Sequence, residues 1–316
     1  MQTEIHVYGD PLDPRGWVTE PALRALDAAL GDADWRFHPT VLVPDWAAYD
    51  GPEFPGGKGS VAAVCSRVSE ESGMPIDEFL WFDDPPATSA PACRGVVAAA
   101  EQGAEAERRF LRAAREATFL RRTNLDTESA VVDLAASVPG VDADGFADDV
   151  ADAAVPDPDS SVLDVTGVDA AGDRPALPTV VVRGDEGERG VSGWADFDEL
   201  AHVVQAATGS APPSPSLTVA EALDRYSAAG WLAPAELTAL TGESYDDAAD
   251  EARADDDVVE RSFASEPFFR AADYVADGGN GDGADEEPDA TDEPAGDGAE
   301  GTPGAEASGP RDAPVE

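Results

Sequence analysis

Two thiols, three imidazoles and one carboxylate-bearing turn are the groups in this 316-residue chain best placed to do covalent or acid–base chemistry. Cys93 follows Pro91 in the first turn of a predicted helix and precedes Arg94. Both features lower a thiol pKa, so Cys93 is the position from which a thiolate could attack a disulfide. The competing reading is a small apolar side chain packed in a core. Cys65, between Val64 and Val68 on an apolar helix, reads as core. Two cysteines are too few for a disulfide scaffold or a four-cysteine zinc site. His6, His38 and His202 lie far apart and show no H-x-x-x-H spacing, so they read as structural histidines rather than metal ligands. No metal and no cofactor is expected. The turn Asp10 to Trp17 sets Asp13 at a helix start, where a carboxylate is favoured electrostatically. A general acid–base role there lacks a histidine partner nearby in sequence.

The elements that must position these residues follow from periodicity. Residues 4–8 form a short apolar strand ended by Gly9-Asp10-Pro11, and Trp17 to Leu30 carries apolar residues at helical spacing. Trp35 to Val43 is a second strand, so the chain opens β-α-β, the unit of a parallel α/β layer. Helices are expected at 61–71, 91–102, 105–120, from 126 to about 137, and at 145–153. Strands return at 178–183 and 188–192 around the Gly184–Gly187 turn, followed by an amphipathic helix over 196–207. Pro212-Pro213-Ser214-Pro215 reads as a stiff linker. Short helices at 218–226, 233–240 and 245–253 and a strand at 258–263 make a small winged-helix-like appendage. Residues 276–316 lack apolar bulk and are expected to be a disordered acidic tail.

Charge narrows the function classes. With 20 bases against 66 acids the formal charge is −46, and a single lysine, Lys58, stands among arginines. Residues 277–316 hold 13 acids and one base, so the body still carries −34. Such a surface repels phosphate backbones and anionic membranes. No apolar run reaches the ~20 residues of a membrane span, and no signal segment follows Met1. Acidity with almost no lysine points to a cytoplasmic, halophilic protein kept soluble where salt screens self-repulsion.

Four segments carry a family resemblance. Asp10-Pro11-Leu12-Asp13-Pro14-Arg15-Gly16-Trp17 resembles the D-P-L-C-x-x-C-W/Y turn of the DsbA-family thioredoxin-like proteins, closest to the FrnE-like and Spx-adaptor-like branches. Thr88 to Ala99 is similar to the T-S-x-P-A-C segment of that branch, and Phe110 to Ala117 to its F-L-R-x-x-R-E-A helix. Ala176-Leu177-Pro178-Thr179 resembles the entry to the third core strand, where the family carries a cis proline. The resemblance implies an α/β thioredoxin-like fold over residues 1–210, with a helical insertion at about 55–155, an appendage at 216–275 and the tail beyond.

The departure matters as much as the likeness. Where the family has its two active-site cysteines, this sequence has Asp13 and Gly16, so the turn Asp13, Pro14, Arg15, Gly16 is degenerate. A carboxylate cannot attack a disulfide sulfur usefully. The resemblance therefore implies a non-redox module that binds a protein client, as an adaptor or chaperone-like unit. Leu12, Trp17, Leu177, Pro178 and Thr179 would be the client-binding surface. The alternative is an enzyme: an oxidoreductase using Cys93, or an isomerase or transferase acting on a small molecule. Nucleic acid and membrane are not expected partners, and the sequence leaves the oligomeric state open.

Overall fold

The computed structural model of this chain describes residues 2–47, 49, 54–156, 162 and 176–275. The tail over 276–316 lies outside the described residues.

A four-stranded sheet in the order β2-β1-β3-β4 organises the first two-thirds of the chain. Strand β1 (Glu4–Gly9) pairs parallel with β2 (Asp34–Pro39) and antiparallel with β3 (Thr179–Gly184), which pairs antiparallel with β4 (Gly187–Ser192). Strand period dictates the layers. Ile5 and Val7 of β1 with Val180 and Val182 of β3 turn to one face, packing Leu26, Leu200 and Val204 from the helices α2 (Glu20–Leu30) and α9 (Phe197–Thr208). Tyr8 and Val181 turn to the other, among Trp17, Phe119 and Leu177.

Two expectations shift here. The helix expected over 17–30 is two helices, α1 (Pro14–Val18) and α2, broken at Thr19. Pro21 has no N–H to donate back to Trp17, so the ladder cannot run through. The second strand ends at Pro39 rather than at Val43. Leu42 and Val43 instead enter a loop that returns over the turn after β1.

The insertion comprises α3 (Val61–Ser72), α4 (Leu80–Asp83), α5 (Ala90–Glu101), α6 (Ala104–Arg121), α7 (Glu128–Ala135) and α8 (Phe146–Asp152). Val96, Phe110, Val131, Phe146 and Val150 bury a core of their own, which Leu12 joins from the turn.

The appendage holds α10 (Val219–Tyr226), α11 (Pro234–Thr241) and α12 (Tyr245–Ala254), closed by a hairpin of β5 (Val258–Phe263) and β6 (Glu266–Ala271). The strand over 258–263 was expected and its partner was not. Its two-residue loop, Ala264-Ser265, holds both φ angles positive (51° and 64°), a turn usually signalled by Asn or Gly. The appendage is fused to the core built on the four-stranded sheet: the described residues up to Val275 belong to one compact unit, with α11 packed on α2.

Candidate functional site

The turn between β1 and α1 is the natural place to look for chemistry, and every sequence segment that carried the resemblance converges on it. Asp10 is fully buried and acts as the hub. Its Oδ1 accepts from the Leu12 amide at 2.8 Å and its Oδ2 from the Leu42 amide at 2.6 Å. Ser89 Oγ also donates to Oδ2, and the Cys93 thiol hydrogen-bonds the same carboxyl. One carboxylate thus ties the turn, the loop after β2 and the start of α5 together. Burial raises its pKa against these hydrogen bonds.

Asp13 caps α1: its Oδ1 accepts from the Arg15 amide at 3.0 Å, as a helix N-terminus demands. The residue is fully buried, and its Oδ2 has no hydrogen-bond partner among the described residues. Burial pushes the carboxyl up to about 7, with Arg15 opposing. Pro14 and Gly16 are buried beside it, and the Arg15 guanidinium lies 5.6 Å from the Phe54 ring centre. Over the turn, Leu42, Val43, Trp46, Phe54 and Trp81 help enclose a void of about 10 Å³, roughly the space of one water.

Neither thiol has the surroundings of a nucleophile. Cys93 is fully buried, and burial together with the Asp10 charge pushes its thiol well above the usual range. Of the two readings the sequence leaves open for Cys93, the structure places it as a packed side chain. The helix start and Arg94 are present, but α5 turns the sulfur inward onto a carboxyl. Cys65 is likewise fully buried, its thiol pushed up by burial and by Asp13, and both cysteines are free.

The structure also buries the residues expected to form a client surface. Leu12, Trp17, Leu177 and Thr179 are each 5% exposed or less, and Pro178 is buried. Trp17 donates its indole N–H to the Pro75 carbonyl at 2.9 Å, stacks on Phe119 and receives the Arg112 guanidinium 4.4 Å above its ring. Thr179 Oγ1 is held at 2.6 Å from the Ala176 carbonyl and 2.7 Å from Ser192 Oγ. The Leu177–Pro178 peptide is cis, as the resemblance implies, and the Pro178 carbonyl accepts from the Gly193 amide at 2.7 Å. The loop after β2 and the insertion cover what a bare thioredoxin-like turn would show.

Sequence reasoning missed a buried charge network. Arg112, Arg115 and Glu116 of α6 are each 3% exposed or less. Arg112 pairs with Glu116 and with Glu236 of α11, both at 2.9 Å, and donates to the Trp231 carbonyl. Arg24 of α2 reaches Glu236 at 2.9 Å, and Arg115 pairs with Glu20. Three buried guanidinium groups and three carboxylates thus meet where core, insertion and appendage join, and the half-exposed Arg121 adds a fourth guanidinium on Glu116 at 2.9 Å. Gly230 is required there, since a Cβ would meet Glu116 Oε1 and Arg112 Cγ. The available signal was the run of charge inside the Phe110–Ala117 helix, read only for its apolar face.

His6 and His38, remote in sequence, become neighbours on paired strands, with Nδ1 of one 2.9 Å from Nε2 of the other. Burial holds both imidazoles below the usual range, His38 to about 4. No group of three or more His, Cys, Asp or Glu among the described residues is arranged to hold a metal. No helix there is long and apolar enough to cross a membrane.

The chain is similar to several known proteins. The ClpXP adapter protein SpxH of Halalkalibacterium halodurans is 32% identical over 46% of this chain and 48% of its own length. The chain thus spans about half the length of the first such relatives. SpxH of Shouchella clausii is 26% identical over 78% of this chain and 79% of its own. Among solved structures, the cytosolic disulfide reductase DsbM from Pseudomonas aeruginosa superposes with a TM-score of 0.46 at 19% identity, over 64% of this chain and 93% of that one. Residues 6–158 match the thioredoxin family model. With the sheet order β2-β1-β3-β4 and the cis proline before β3, the chain has a thioredoxin-like fold, about half of it matching that family model.

Proposed function

We propose that this chain is a non-redox thioredoxin-fold module that works by binding a protein partner, in the manner of an adaptor. The observation that carries the reading is the state of the turn. A buried, capping Asp13 stands where the family's attacking thiol belongs, and both cysteines are buried with thiols pushed up. Thiol–disulfide exchange needs an accessible thiolate and a resolving thiol. A fold that keeps the scaffold and encloses the turn suits recognition better than turnover. The likeness to proteins named as ClpXP adapters gives the adaptor form of the reading its support.

The oxidoreductase alternative would run through Cys93, whose surroundings oppose it. A small-molecule isomerase or transferase would use the space over the turn, which holds about 10 Å³. Partner contact falls to surfaces away from the turn. Phe79 and Phe82 are 50% and 67% exposed, their rings tilted with centres 6.0 Å apart, an apolar pair that a partner could cover.

Two measurements in molar potassium chloride test the reading. The first compares turnover of a protein disulfide by the natural chain and by Cys65→Ser, Cys93→Ser; both should stay at background. Activity that disappears in the double variant would overturn the non-redox reading. The second captures partners on the full chain and asks whether an ATP-dependent protease degrades them faster when the chain is added. Faster degradation is expected. Bound partners with unchanged degradation would remove the adaptor role and leave protein binding standing.

A further inference from the structure

A groove of about 600 Å³ runs between α2, the edge strand β2, the first half of α6 and the segment after α10. That volume lies within the range of ligand-sized sites. Its charge is what sets it apart. The chain has 20 bases against 66 acids, yet seven arginines line this one groove beside five acids. Arg24, Arg112 and Arg115 make the floor, with Glu20, Glu116 and Glu236 as partners. Even so, Arg24 Nη1 and Arg115 Nε have no hydrogen-bond partner among the described residues, although the two side chains are only 8% and 2% exposed. Unpaired guanidinium donors in a low-dielectric floor favour negative charge above them.

The rim is where a ligand is met. Arg36, Arg109 and Arg225 are partly exposed and pair with Asp34, Glu105 and Asp27. Exposed pairs of this kind are weak and exchange readily. Arg108 is exposed and makes no ion pair or hydrogen bond among the described residues. The neighbouring Glu107 carboxyl is pushed up to about 7 by burial, with Arg108 and Arg36 opposing.

The wall is a strand edge. β2 pairs only with β1 in the sheet, and the amides of Asp34 and Thr40 donate to the carbonyls of Thr3 and Gly9. Alternation then turns the backbone groups of Trp35 and Phe37 away from β1, and an extended segment can add to such an edge. Apolar side chains of Trp35, Phe37 and Leu23 between the arginines suit a chain that alternates acidic and apolar residues.

We propose that this groove receives an extended acidic segment of a protein partner, its backbone along β2 and its carboxylates on Arg36, Arg108 and Arg225. The proposal rests on the protein-binding reading above and names the chemistry of what is bound. A nucleic acid fits less well, because a phosphate chain leaving the groove would run onto a body of strongly negative charge. In concentrated salt, screening removes long-range repulsion and leaves contact pairing to decide.

The test is a selection in molar potassium chloride on the immobilised full chain, from random peptides of about ten residues, which at about 3.3 Å per residue outspan β2. R36E/R108E is run in parallel; both positions are solvent-facing, and its thermal midpoint should match the natural chain's. The expected result is a pool enriched in Asp and Glu among apolar residues, with selected peptides binding the variant at least about tenfold more weakly. No selected peptide, a pool without acidic enrichment, or equal affinity for the variant overturns the proposal. Tighter binding of an oligothymidylate than of any selected peptide also overturns it, in favour of nucleic acid. Natural partners that bind R36E/R108E unchanged sink the groove and leave the protein-binding reading intact, whereas no partner captured by the natural chain sinks that reading itself.

Discussion

Gly16 and Arg115 share one space: a Cβ on Gly16 would lie 3.1 Å from Arg115 Nη2. Arg115 is 1% exposed and paired with Glu20, so it has little room to retreat. Position 16 is where the resembled family carries its second cysteine. A side chain at position 16 would therefore compete with the buried guanidinium beneath the turn.

Gly16→Ala should therefore destabilise the fold by about 1–3 kcal/mol through overpacking. Gly16→Cys should cost at least as much, so restoring both cysteines in Asp13→Cys, Gly16→Cys should give a less stable protein. Denaturant midpoints in molar potassium chloride check this. An unchanged midpoint would mean that Arg115 moves aside freely.

Asp13 predicts a pH signature. Its folded pKa of about 7 lies above the ordinary value of 3.8. Between those values the folded chain keeps a proton that the unfolded chain has lost. Stability contributed by the protonated carboxyl is thus full below about pH 4 and is lost as pH rises through 7. Asp13→Asn keeps the helix cap and cannot ionise. Relative to the natural chain it should gain up to about 4 kcal/mol between pH 4 and pH 8. Parallel stability curves for the two proteins across that range would sink the assignment.

The buried charge network predicts a large asymmetry between ion pairs. Glu236→Ala strands Arg24 and Arg112 without their shared partner and should cost about 3–5 kcal/mol. Arg253→Ala breaks pairs with Asp250 and Glu260 that are largely solvent-exposed, and should leave the midpoint nearly unchanged. Thermal melts of the two variants compare them directly. Equal effects would contradict the fusion of core and appendage through Glu236.

The thiols predict slow chemistry. Cys65 and Cys93 should react with an aromatic disulfide reagent orders of magnitude more slowly in the native state than in denaturant, since each must wait for an opening. Rapid native labelling of Cys93 at neutral pH would reopen the oxidoreductase alternative.

Much of the fold was legible because its signals are local. The helices of the insertion other than α4, the β3–β4 hairpin and the capped starts at Asp196 and Thr218 each announce themselves within a few residues, by apolar period, turn type or capping box. The β5–β6 hairpin was half missed because Ala264 and Ser265 adopt positive φ without the residues that usually advertise it.

What the sequence by itself determined is the order of most elements, while the thioredoxin-like turn and the cis proline before β3 came through the family resemblance. Only the tertiary structure decided which side chains reach solvent. Trp17 and Cys93 carry the same letters whether exposed or buried, and it is the loop after β2, the insertion and Asp10 that cover them. Likewise Arg24, Arg112 and Glu236 are ordinary surface charges on a helical wheel until α2, α6 and α11 close on one another. Burial is a sum over contacts distant in sequence, and no local pattern contains it.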